Sequence, residues 1–113
     1  MANLSLETSV AERAVVIALR GELDLAGAAA VEQELARLER DPATTLVLDL
    51  SGVGFMDSSG LRVIAVASQR AHELGRRLAL VPGPEQVMRV FEITRMRERL
   101  DFVDDPRELT GGA

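Results

Sequence analysis

The chain has 113 residues, 47% of them apolar, and a net charge of −5 at pH 7. That length supports one domain with a packed core but not two ordinary ones, and the apolar share excludes a disordered chain. The acidic balance argues against direct nucleic-acid binding, which needs a basic surface, and the lack of Cys excludes disulfides, thiolate catalysis and zinc–thiolate sites.

No basic stretch followed by a long apolar one opens the sequence, so no secretory signal is expected. Apolar runs such as residues 14–19 are far too short to span a bilayer. The expectation is a cytoplasmic protein without membrane contact.

Leu4, Leu6 and Thr8 alternate with polar residues and predict an edge strand. Residues 14–19 are rich in β-branched side chains and predict a buried strand, which Gly21 is expected to end. Ala28, Val31, Leu35 and Leu38 then recur at helical spacing, with Glu32, Glu34, Arg37 and Glu39 on the wet side. Asp41-Pro42 stops that helix.

Residues 45–50 form the next predicted strand. Residues 58–74 form a helix with Leu61, Ile64, Ala65 and Ser68 on one stripe and Gly75 as its C-terminal cap. Residues 78–81 predict another strand, closed by Pro82-Gly83-Pro84. Val87, Val90, Phe91 and Thr94 mark a third helix. Leu100, Phe102 and Val103 suggest a last strand or docking segment, and residues 104–113 a short terminal helix or frayed tail. There is no internal repeat and no linker, so residues 1–113 are expected to form a single domain. Strands alternating with helices imply an α/β fold, with a mixed, largely parallel sheet of four to five strands and about four flanking helices.

In such sheets, sites form at the carboxyl ends of strands. The run Phe55-Met56-Asp57-Ser58-Ser59-Gly60-Leu61 lies at one of these ends, where a strand turns into a helix. A helix start of this kind suits capping, anion binding or attachment of a phosphate. Gly60 weakens a helix by up to ~1 kcal/mol relative to Ala, but lets another backbone or a phosphate come close. Serine hydrolysis is excluded, because a nucleophilic Ser needs a base within hydrogen-bond reach. His72 is the sole histidine, and it lies roughly 21 Å along the same helix at about 1.5 Å per residue. No Lys exists to replace it. Gly21-Glu22-Leu23-Asp24 follows the second strand as a polar turn, with Asp24 beginning the next helix and both Glu22 and Asp24 available to an acidic partner surface. No cluster of metal ligands and no phosphate-binding glycine motif is present, so no metal and no cofactor is expected. Arg95, Arg97 and Arg99 read as a solvated helix end.

Taken together, residues 20–24 (Arg-Gly-Glu-Leu-Asp), residues 46–50 (Leu-Val-Leu-Asp-Leu) and residues 55–61 resemble the STAS domain. More narrowly, they resemble the bacterial anti-sigma-factor antagonists. The resemblance runs from the first strand to Val103. It implies a binding module and not an enzyme. An antagonist of this kind binds an anti-sigma factor that is also a serine kinase and so releases a sigma factor. The kinase phosphorylates the first Ser of the Asp-Ser-Ser-Gly motif and switches the antagonist off, and a serine phosphatase restores it. By position, Ser58 is the implied phosphoacceptor, and Glu22, Leu23, Asp24, Asp57, Ser58, Ser59, Gly60 and Leu61 form the implied partner-binding face. Two departures stand out. Leu25-Ala26-Gly27-Ala28 lacks the Thr common in relatives and is expected to weaken the start of the first helix. Arg95 replaces a common Gly and is expected to lengthen the third. Two alternatives stay open: an unphosphorylated STAS accessory subunit of a transporter, and a nucleotide-binding protein using the Ser58 helix start.

Overall fold

The computed structural model describes residues 3–11, 13–40 and 45–104. In chain order the elements are β1 (Leu4–Ala11), β2 (Ala14–Leu23), α1 (Leu25–Leu38), β3 (Thr45–Met56), α2 (Ser58–Glu73), β4 (Arg77–Val81), α3 (Glu85–Ile93) and β5 (Asp101–Phe102). A 3-10 turn covers Met96–Glu98. The five strands lie across one sheet in sequence order. β1 pairs antiparallel with β2, and every other neighbouring pair is parallel, giving the expected mixed, largely parallel sheet. Three α-helices stand among the described residues where about four were expected. The fourth was placed on the C-terminal tail, and residues 105–113 lie outside the described residues.

The parallel crossovers all step the same way across the sheet, so crossovers of one hand put α1, α2 and α3 on one face. That face carries Leu6, Ile17, Leu48, Leu80 and Phe102, one from each strand. They pack with Val31, Ile64, Val87 and Phe91 from the helices in one core. Leu6 and Phe102 are partly buried, whereas each of the fully buried side chains contributes about 1.5–3 kcal/mol of burial free energy. Phe91 meets Phe102 edge-on, with ring centroids 5.2 Å apart, which fixes the short β5 against α3. Val47 and Ala79 point the other way and are also fully buried. Burial on both faces explains why Leu46-Val47-Leu48 reads as a continuous apolar run and not as an alternating one.

The second strand does not end at Gly21, as expected, but continues to Leu23. β3 likewise runs past Leu50 to Met56. The reason is an irregular ladder, with register shifts between Ala18 and Arg20 and between Gly21 and Glu22. Gly21 sits there at φ +114, and a Cβ on it would lie 2.2 Å from the Asn3 carbonyl oxygen. Only glycine lets the strand take that bend and continue. The consequence is functional: Leu23 and Met56 end level with each other, so α1 and α2 start side by side.

α2 stops as predicted. The Gly75 N–H donates to His72 O (3.1 Å) and the Arg76 N–H to Ala71 O (2.8 Å), the paired bonds of a glycine-terminated helix. Its inward stripe is rotated from the expected one: Gly60, Val63, Ile64 and Ala71 are buried. α3 is not lengthened by Arg95. It ends at Ile93, and Arg95 takes the left-handed conformation at φ 61, which a glycine adopts without strain. Arg97 belongs to the following 3-10 turn, not to a helix end, with its guanidinium 5.4 Å from the centroid of the Phe102 ring.

Candidate functional site at the paired helix starts

α1 and α2 begin in the same way. Asp24 and Asp57 both hold extended backbone and cap the helix that follows. Asp24 Oδ1 accepts from the Gly27 N–H at 2.9 Å. Asp57 Oδ1 accepts from the Ser59 N–H at 2.9 Å and the Gly60 N–H at 3.4 Å. α1 therefore starts at Leu25 in spite of its Leu-Ala-Gly-Ala opening, because Asp24 supplies the cap.

The cap at α2 is the aspartate, so neither serine is used for capping. The Ser59 and Gly60 N–H groups, which an external phosphate would need, are already filled by a carboxylate.

Ser58 is exposed, and its hydroxyl has no hydrogen bond among the described residues. Ser59 is half-buried and lines the groove between α1 and α2. Glu22 is exposed; its N–H donates to Asn3 O (2.9 Å), and its carboxylate accepts from Asn3 Nδ2 (3.4 Å). Asp24 and Asp57 are half-buried. Of the remaining residues in the expected partner face, Leu23 is fully buried, Gly60 is buried, and Leu61 is half-buried against the core. Leu23 supports the turn from beneath, its carbonyl accepting the Asp57 N–H at 3.4 Å.

Packing within the protein requires a glycine at position 60. A Cβ there would meet Leu23 O at 2.6 Å and Met56 Cγ at 2.7 Å. The end of β2 thus presses directly on the first turn of α2. His72 is exposed near the far end of α2 and takes no part in the turn.

Sequence reasoning missed the apolar surface beside the turn. Leu25 is 75% exposed, Val66 58% and Phe55 50%. Leu25 and Val66 border a groove of about 570 Å³ between α1 and α2. The available signal was Leu25 itself, a large apolar residue directly after a cap, and Val66, which lies off the buried stripe. Glu34, assigned to the wet side, instead folds back onto β1. Bonds from Arg37 and from the Thr8 hydroxyl hold its carboxyl down at about 2.

Among the described residues no group of three or more His, Cys, Asp or Glu is placed to hold a metal ion. None of the described helices is long and apolar enough to cross a membrane.

The sequence and the fold are similar to those of known proteins. The STAS domain family model matches residues 5–108. Anti-sigma-F factor antagonist RsfB of Mycobacterium tuberculosis is 42% identical over 55 residues, which cover 49% of this chain and 45% of that protein. The match therefore spans under half the length of that relative. The anti-sigma-B factor antagonist of Staphylococcus aureus is 25% identical over 96 residues, covering 85% of this chain and 89% of that protein. The solved structure of the Bacillus cell-fate determinant SpoIIAA in its phosphorylated form shares the fold. It has a TM-score of 0.69 and 22% identity, over 94% of this chain and 96% of that one. With the domain matched over nearly its whole length and the sheet and capped turn in place, the chain belongs to the STAS-domain family.

Proposed function

We propose that this protein is an anti-sigma-factor antagonist. It binds an anti-sigma factor that is also a serine kinase, thereby releasing a sigma factor, and phosphorylation of Ser58 switches it off. A serine phosphatase resets it. The protein acts by binding alone and catalyses nothing itself. The supporting observation is the exposed, unbonded Ser58 hydroxyl on a turn whose helix is already capped by Asp57. The kinase can take that hydroxyl without dismantling the fold. Relatives named as anti-sigma-factor antagonists, one of them known in a phosphorylated form, point the same way.

A phosphate on Ser58 adds roughly −1.5 to −2 charges at a helix start. The helix dipole tolerates an anion there. A bound partner does not, because the dianion must be desolvated next to Asp57. An unmatched charge at an interface costs about 2–5 kcal/mol, a factor of ~30 to several thousand in affinity.

The test is intact-mass and fragment mass spectrometry after incubation with the anti-sigma kinase and ATP. One phosphate on Ser58 is expected. Ser58→Ala should block it and keep partner binding, while Ser58→Asp should weaken binding with thermal unfolding nearly unchanged. A Ser58→Ala protein still phosphorylated on Ser59 would overturn the site assignment.

A further inference from the structure

We propose that the groove between α1 and α2 receives an amphipathic helix of the anti-sigma partner, entering at the Ser58 turn. The proposal rests on the antagonist reading above and adds where and how the partner sits. The trough is apolar at its centre and is bordered by the exposed Leu25 and Val66. Its mouth carries Ser59 and Arg62, so it is continuous with the turn that presents Ser58. Its far end is closed by the ion pair between Arg70 Nε and Glu39 Oε1 at 2.9 Å.

Charge selects the kind of occupant. Glu32 stands on the α1 wall and Arg62 on the α2 wall. Neither has a partner among the described residues. A lipid acyl chain satisfies neither charge, whereas a peptide can present a base to one wall and an acid to the other. An extended peptide would bring unpaired backbone groups into a trough lined by helices, which offer no ladder to receive them. A helix satisfies its own backbone. The walls are long enough for it: α1 has 14 residues, roughly 21 Å at about 1.5 Å per residue. A partner helix of about three to four turns fits, with apolar residues at i, i+3 or i+4, and i+7 on its inner face. A phosphate on Ser58 would then stand at the mouth of the groove, in the path of the docked helix.

The experiment is calorimetric titration of the protein with the anti-sigma kinase of its own organism, using Leu25→Glu, Val66→Glu and, as a control, Ile93→Glu. Ile93 is as exposed as Leu25, at 75%, but lies on α3 outside the groove. The two groove variants should weaken binding roughly 30-fold or more, and the control should not change it. Arg62→Glu and Glu32→Arg should each weaken it roughly tenfold. Hydrogen exchange on the wild-type complex supplies a second readout, with protection expected along the facing sides of α1 and α2. If the wild type binds while the groove variants bind equally well and the groove gains no protection, the groove is not the dock. If the wild type does not bind the kinase at all, the antagonist reading itself fails and takes the groove with it.

Discussion

Gly60→Ala sets local helix chemistry against tertiary packing, and the two predict opposite signs. Within a helix, replacing Gly by Ala is worth up to ~1 kcal/mol of stability. In this structure the new Cβ would stand 2.6 Å from Leu23 O and 2.7 Å from both Leu23 Cγ and Met56 Cγ. Ordinary contact is about 3.5–4.0 Å, so the site is short by roughly 1 Å. Met56 is unbranched and can turn aside. The Leu23 carbonyl cannot retreat as easily, because it ends a paired strand and accepts the Asp57 N–H at 3.4 Å. Overpacking costs about 1–3 kcal/mol, and an obstacle made of backbone places this case at the upper end. After the helix-propensity gain the net loss is about 2 kcal/mol. Urea unfolding of the two proteins side by side should show the midpoint falling by roughly 1 M at an m-value of about 1–3 kcal/mol per M. In thermal unfolding, Tm should drop by roughly 8 °C. A Gly60→Ala protein as stable as the wild type, or more stable, would refute the close approach of β2 to the first turn of α2.

Other substitutions test the remaining parts of the framework. Asp57→Ala removes the acceptor for two helix N–H groups and should cost about 1–2 kcal/mol in urea unfolding, whereas Asp57→Asn should cost much less. Arg95→Gly relieves the left-handed residue at φ 61 and should raise stability by up to about 1 kcal/mol, read as an increase in Tm. Glu34 titrates at about 2 in the fold against 4.5 as its ordinary value, held down by the Arg37 and Thr8 bonds. A lowered carboxylate stabilises fully above the unfolded value and loses that stability as pH falls toward the folded one. The partner Arg37 is 63% exposed, so solvent screening reduces the contribution to about 1 kcal/mol. Glu34→Gln should therefore be less stable by about that amount at pH 7, and the gap should close between pH 4.5 and pH 2 as followed by urea unfolding.

Spacing alone was enough for the alternation of strands and helices, the parallel sheet, the cap at Gly75 and the turn at Asp57-Ser58-Ser59-Gly60. These are set by local rules: side-chain period, β-branching, and the affinity of Asp, Pro and Gly for element ends. Three features required the folded chain. β2 and β3 extend past Gly21 and Leu50 because an irregular ladder, and not a local signal, brings Leu23 level with Met56. Gly60 is required by the Leu23 carbonyl, 37 positions earlier in the sequence, and nothing within its own helix shows that contact. The exposed Leu25 and Val66 become one surface only when α1 and α2 lie side by side. Local propensity and pattern decide which residues make each element. The level ends of the strands, the tight first turn and the groove arise from contacts between residues far apart in the chain, and these depend on three-dimensional register that no one-dimensional period encodes.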